Sequence, residues 1–307
     1  MREYTGPKFE IVHVALTGTP ARPAAVDREA AYLWDLDRPE PVAELRWDGN
    51  AWGQPVLSVS PDGRWLAAGP AEHLFIWNTE DRPPSLRRWL WNNDLCRADF
   101  VRPDRLIVIA RLSGRLSRYE MWEADEWNPQ QDLIDFELTD DLADKVSKLN
   151  LADGRRHTAL SGDGSRFAFT GWHEKGVTVW DAATGRRLGR IPLKGTTSCL
   201  ALSPDGSRLA IDGGTTVYVH DATSLELLTR WKTKYCYVPQ LAWSPDGRLI
   251  GRTDRSTTTR LYDPATGREV SALGTKRGMA TAIAFAPDGL TYATGHRDGT
   301  VRVWDVG

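Results

Sequence analysis

Short runs in which apolar and polar residues alternate recur along the whole chain, and most of them end at a turn. Val56-Leu-Ser-Val-Ser60 leads into Pro-Asp-Gly63, and Leu200-Ala-Leu-Ser203 into Pro-Asp-Gly206. Leu241-Ala-Trp-Ser244 leads into Pro-Asp-Gly247, and Ala282-Ile-Ala-Phe-Ala286 into Pro-Asp-Gly289. Ser161-Gly-Asp-Gly164 and Arg102-Pro-Asp-Arg105 are weaker copies. Period-two alternation is the pattern of a strand. In the turn, Pro presets φ, Asp bonds back to the backbone, and Gly accepts a positive φ. Each unit therefore predicts a strand folded back on the next as a hairpin. One stretch breaks the pattern. In Thr139–Leu149 the residues Leu142, Val146 and Leu149 fall on one helical face, Thr139 suits an N-cap, and Asp140 and Asp141 suit the positive end of a helix. A short helix is expected over 139–149, laid over the neighbouring strands as a cap.

A second phrase recurs in register with the turns. Trp34-Asp35, Trp77-Asn78, Trp122-Glu123, Trp180-Asp181, His220-Asp221, Tyr262-Asp263 and Trp304-Asp305 each close an alternating run. Their spacings are 43, 45, 58, 40, 42 and 42 residues. A third marker follows some of these pairs: Asp181-Ala-Ala-Thr-Gly185 and Asp263-Pro-Ala-Thr-Gly267 read as the next hairpin turn, while Asp221-Ala-Thr-Ser-Leu225 has lost its Gly. A period of about 40–45 residues with an aromatic–Asp strand ending is the signature of a propeller blade. Seven such units predict an all-β, seven-bladed β-propeller that occupies residues 1–307 as a single domain. Its core is a ring, since each sheet buries both faces against its neighbours.

With these three markers in register, the whole chain resembles the WD-repeat β-propeller family. The resemblance implies four antiparallel strands per blade, a to d from the inside out. In blade 5 these fall near 198–203, 208–212, 216–221 and 226–231. It also implies that the d–a and b–c connections share a top face and the other turns a bottom face. The chain reaches only strand c of blade 7, so the N-terminal segment, Arg2–Thr5, is expected to pair outside Val301–Trp304 and close the ring. The family often joins a Gly-His pair, an Asp in the b–c turn, the strand-c Trp and a strand-b Ser or Thr in a buried hydrogen-bond network. Here the Asp survives clearly only as Asp298, so the full network is not visible in any blade; His296 has a place in such a network open to it, and a packed or surface imidazole is the favoured reading.

Composition narrows the function. The net charge of −2 gives no electrostatic case for nucleic acid as a partner. Arg outnumbers Lys 31 to 8, which points to a GC-rich, bacterial-like genome. Three cysteines (Cys96, Cys199 and Cys236) cannot pair completely, and a reduced, cytoplasmic chain is expected. No apolar run is long enough for a membrane span. No motif carries chemistry: Cys-x-x-Cys, Gly-x-Ser-x-Gly, a phosphate-binding Gly loop and His-Glu-x-x-His are all missing, so the reading is non-enzymatic, with no cofactor.

Tryptophan carries the candidate site. Of 14 tryptophans, five close strand c and Trp65 and Trp243 fall in inner strands. Trp127 maps to the bottom face, in the c–d connection of blade 3. The remaining six, Trp47, Trp52, Trp89, Trp91, Trp172 and Trp231, map to connections or strand ends that lead to the top. Lys232, Lys234, Tyr235 and Tyr237 lie beside Trp231, and Arg87 and Arg88 precede Trp89. Aromatic rings beside cations are the composition of a protein-binding hot spot. Alternation along strand d assigns some of the six rings to inter-blade packing. The expectation is a scaffold, monomeric on its own, that binds a protein or peptide through Trp89, Trp91, Trp172, Trp231, Lys234, Tyr235 and Tyr237. The alternative is a small-molecule-binding or enzymatic propeller that uses its central channel.

Overall fold

The computed structural model describes residues 1–18, 21–47, 55–70, 73–91, 95–112, 115–122, 126–127, 134–136, 158–170, 175–195, 197–236, 239–274 and 277–306. Within these, the side chains at 88–91, 95–96, 111–112, 115–117, 120, 122 and 134–135 are left out. The helix expected over 139–149 lies outside the described residues.

Seven four-stranded antiparallel sheets follow one another along the chain. Blade 5 has strands Cys199–Leu202, Arg208–Asp212, Thr216–Asp221 and Leu227–Lys232, in that spatial order. Blade 7 differs in its source. Its inner three strands are Ala280–Phe285, Thr291–His296 and Val301–Asp305, and its outer strand is Arg2–Tyr4. The closing register is Arg2 with Val303, Glu3 with Arg302 and Tyr4 with Val301, as expected from the family resemblance. Tyr4 is buried there and meets Trp34 at 6.1 Å. Arg302 Nε donates to Glu3 at 2.7 Å across the new pair.

The core is divided into seven clusters, one at each blade-to-blade interface. Leu200, Leu209 and Ile211 of blade 5 pack with Ala159, Val177 and Val179 of blade 4. On the other side of the same blade, Val217, Val219 and Trp231 pack with Leu241, Trp243 and Tyr262 of blade 6. Ile11, Val14 and Trp34 pack with Ala293 and Val301 across the closure. Every sheet is thus covered on both faces.

The turns are built as their chemistry predicts. In blade 5, Ser203 Oγ donates to Asp205 Oδ1 at 2.6 Å and accepts from the Arg208 amide at 2.9 Å, and Gly206 sits at φ +68°. The same Ser–Asp bond recurs at Ser60–Asp62, Ser161–Asp163 and Ser244–Asp246. In the c–d turns Gly185 and Gly267 have φ of +73° and +71°. Leu225, which replaces that Gly in blade 5, takes φ +66°, a left-handed backbone that costs a branched side chain about 1–2 kcal/mol.

Trp127 lies in the c–d connection of blade 3, and its ring is buried there, only 2% exposed and edge-on against Trp65 at 5.3 Å and Phe100 at 5.5 Å. One expectation is corrected here. A buried network does exist in blade 7, with His296 as its bridge. Trp304 Nε1 donates to Thr294 Oγ1 at 2.8 Å, Thr294 Oγ1 lies 2.8 Å from His296 Nε2, and His296 Nδ1 lies 3.3 Å from the Gly278 carbonyl. The Trp donor leaves the Thr hydroxyl to donate to Nε2, so the ring is neutral with its proton on Nδ1. Asp298 serves the next turn instead, accepting from the Thr300 amide and hydroxyl.

Candidate interaction surface

Strand d sets which side chains reach solvent at the rim. Along 228–234 the exposure alternates: Leu228, Arg230, Lys232 and Lys234 are exposed, and Trp231 between them is buried. Side chains on a strand alternate between faces, so a Trp flanked by outward cations must turn inward. Trp231 is 9% exposed and lies against Tyr262 at 5.4 Å. Its ring also fills the space over Gly267, where a Cβ would come within 2.9 Å of its own Cβ. The expectation that Trp231 stands on the top surface is therefore corrected: the ring is blade 5–6 core. Trp47 is likewise core, between blades 1 and 2.

Lys234 and Tyr235 are exposed together on the connection that leaves this strand, and Tyr235 is 70% exposed. The connection is held at three points. The Thr233 amide donates to the Thr215 carbonyl at 2.9 Å, and the Cys236 amide to the Gly214 carbonyl at 3.1 Å. Between them, Arg252 Nη2 donates to the Lys234 carbonyl at 3.2 Å. The Tyr235 ring lies over Gly214, close enough that a Cβ there would stand 3.5 Å from its Cε2.

Arg252 comes from the next blade and is 1% exposed as a side chain. Its Nε donates to Asp212 Oδ2 at 2.6 Å, and Asp212 Oδ1 accepts from the Gly214 amide, also at 2.6 Å. Asp254 is a second carboxylate neighbour, at 3.9 Å, and is itself bound by Arg260 at 2.8 Å. Burial pushes the Asp212 carboxyl up, against the pull of the Arg252 guanidinium and the Gly214 amide. This pair ties the b–c turn of blade 5, strand b of blade 6 and the connection between them into one unit.

The remaining predicted residues are placed less fully. Trp89 and Trp91 belong to strand d of blade 2, Ser85–Trp91, where their backbones pair with Phe75 and His73. Trp172 and Tyr237 lie outside the described residues. Sequence reasoning missed Lys175 and Lys194, exposed at the top of blade 4. They are joined there by the Leu193 amide, which donates to the Lys175 carbonyl at 3.0 Å. The signal was available in the repeat: Arg190, Pro192 and Lys194 occupy the outward positions of blade 4 that Arg230, Lys232 and Lys234 occupy in blade 5.

Arginine–carboxylate pairs occur on both faces, on the top as Arg255–Glu10 at 2.6 Å and Arg302–Asp298 at 3.6 Å. On the bottom, arginines stand beside turn carboxylates, as in Arg166–Asp181 at 3.2 Å, Arg22–Asp35 at 3.5 Å and Arg64–Glu80 at 3.7 Å. The Ser224 amide, the Ser244 hydroxyl and the Ala265 amide hold Asp221, Asp246 and Asp263 below the ordinary carboxylate range. On the top, Lys175, Lys194, Lys232 and Lys234 have no ion-pair partner among the described residues.

The central channel encloses a cavity of about 390 Å³ walled by the inner strands of all seven blades. Aliphatic residues such as Ala15, Val59, Ala201 and Ala242 share the wall with His13, Ser58, Arg97, Asp99 and Gln240. Its charged pair is internally satisfied: Arg97 donates to Asp99 and, at 3.0 Å, to the Thr158 carbonyl. Among the described residues no group of three or more His, Cys, Asp or Glu is placed to hold a metal ion. No described helix is long and apolar enough to cross a membrane.

Comparison with known proteins agrees with this architecture. Residues 269–305 match the family described as WD domain, G-beta repeat. The serine-threonine kinase receptor-associated protein of Gallus gallus is 27% identical over 131 residues, 43% of this chain and 37% of that protein. THO complex subunit 3 of Arabidopsis thaliana is 25% identical over 134 residues, 43% of this chain and 42% of that protein. The matched region thus spans less than half the length of these relatives. Among solved structures, the β-propeller domain of Cps50 (Swd1) from Myceliophteria thermophila aligns with a TM-score of 0.72 at 15% identity, over 100% of this chain and 99% of that one. With seven four-stranded blades, recurring aromatic–Asp strand ends and a family match in the last blade, the chain is a seven-bladed β-propeller whose last blade matches a WD repeat.

Proposed function

We propose that this propeller is a non-catalytic scaffold that binds a protein or peptide on its top face, in a reducing cytoplasm. The observation that carries the reading is the connection at 233–236. It presents an exposed Tyr and, beside it, an exposed Lys with no ion-pair partner among the described residues, on a backbone already fixed by three hydrogen bonds. An ordered aromatic anchor beside a cation lowers the entropy lost on binding, which is how interface hot spots work. The names of two relatives, a receptor-associated protein and a complex subunit, describe association with other proteins and support the same reading. Cys199 and Cys236, buried and outside any disulfide, suit a chain that keeps its thiols reduced. The channel supports the alternative less well, because its Arg97–Asp99 pair is already satisfied and no described group of three or more His, Cys, Asp or Glu converges on a metal site.

The test is affinity capture from the source lysate with the wild type beside a Lys234→Ala/Tyr235→Ala variant that melts in the same single transition. A protein recovered by the wild type and lost by the variant supports a top-face scaffold. Equal recovery by both moves the site elsewhere on the ring, and recovery of nothing by either counts against a scaffold.

A further inference from the structure

The chain is poor in lysine, with eight against 31 arginines. Half of those lysines, Lys175, Lys194, Lys232 and Lys234, stand together at the top rim of two adjacent blades. All four are exposed. Elsewhere on the surface the usual cation is arginine, commonly matched by a turn carboxylate. Here no described carboxylate answers any of the four. Lysines on an outer strand have one ordinary use, which is to discourage edge-to-edge pairing with another sheet. That use covers Lys232, which lies within strand d. It does not cover Lys175, Lys194 or Lys234, which lie on top-face connections where there is no ladder to protect. In the neighbouring blade the strand-d positions that match Leu228, Arg230 and Lys232 are Val270, Ala272 and Gly274, and in sequence Lys276 follows at the position of Lys234. The net charge of −2 conceals this local excess.

Building on the scaffold reading, we infer that Lys175, Lys194, Lys232 and Lys234, with Tyr235 as the apolar anchor, form a docking site for an acidic peptide segment, rich in Asp or Glu, of the partner protein. Four ammonium groups on one rim, answered by no described carboxylate, raise the local concentration of an anionic chain and speed its encounter. Lysine suits an extended, variable string of carboxylates because its ammonium is a compact point charge on a flexible stem, whereas arginine favours a fixed bidentate geometry. Tyr235 supplies contact area at small entropic cost. The buried Asp212–Arg252 pair sets its position by holding the Lys234 carbonyl. Single-stranded nucleic acid is disfavoured as the occupant. Such sites stack successive bases on several rings along a basic groove, and the described part of this rim offers one exposed ring.

The test uses the full chain and a short fluorescein-labelled poly-glutamate peptide, followed by anisotropy across a range of ionic strength. Two charge-matched variants are compared with the wild type: Lys175→Glu/Lys194→Glu/Lys232→Glu/Lys234→Glu on the top, and Arg38→Glu/Arg186→Glu/Arg248→Glu/Arg268→Glu on the bottom. The expected result is binding that weakens as salt rises. The top variant should lose at least about tenfold in affinity, and the bottom variant much less. Equal loss in both variants, no loss in the top variant or no binding by the wild type overturns the inference. So does displacement of the peptide by an oligo-uridylate of the same length. A partner recovered through Tyr235 whose binding ignores salt and survives the lysine reversals would remove the acidic docking site and leave the scaffold intact.

Discussion

His296 shows how one residue links packing to solution behaviour. Burial, with Arg302 beside it, lowers its pKa from the ordinary 6.5 to about 4, against smaller upward pulls from the Gly278 carbonyl, Asp298 and Glu3. The folded ring stays neutral while the imidazole of the unfolded chain takes up a proton. Stability is therefore unaffected by this group above about pH 6.5, falls as pH drops from there toward 4, and levels off below. The loss is on the order of 3 kcal/mol. Urea unfolding at about pH 7 and about pH 4.5 should show this difference in the wild type, and His296→Gln should flatten it. Arg252 offers a second test at the same scale. Arg252→Met leaves Asp212 buried without its partner and should cost about 3–5 kcal/mol, whereas Asp212→Asn/Arg252→Met should recover a substantial part. If the single variant is as stable as the wild type, Asp212 does not carry a charge that needs compensation.

At the scale of the element, the N-terminal strand is the clearest case. Removing residues 1–5 takes away three register pairs, the buried Tyr4 and the Glu3 partner of Arg302. Calorimetry should show a fall in Tm of roughly 5–10 °C, and an unchanged Tm would mean that the outer pairing contributes nothing. This element was readable in advance because the missing strand of blade 7 leaves a vacancy that only one segment can fill. The Ser-Pro-Asp-Gly turns were readable too, since Pro, Asp and Gly act within four residues of one another. The strand phase was not. Whether Trp231 or Lys232 faces outward depends on which residue begins the pairing with Thr216–Asp221, and shifting the register by one exchanges every side chain between core and solvent. The same limit hid the bridge at His296, because the sequence shows that position but not the distance from its ring to Thr294. The lysine cluster lay in plain view, and it becomes visible only when the outward positions of blades 4 and 5 are overlaid.

Across the whole molecule, the division of the core into seven interfaces means that each blade is stabilised by its two neighbours and by little else. A flaw in one interface therefore falls first on the two blades that share it, and completing the circle adds the last interface, between blades 7 and 1. The pairing that completes it joins residues 299 positions apart in the bond from Arg302 to Glu3. This has a consequence in time. On the ribosome Arg2–Tyr4 emerges well before Val301–Asp305, so this strand is made long before the partner that seats it. Until then the inner strands of blade 7 do not exist, and the flanks of blades 1 and 6 that will cover them stay open to solvent. The interval before closure is the window in which a nascent chain of this kind is most exposed to its neighbours.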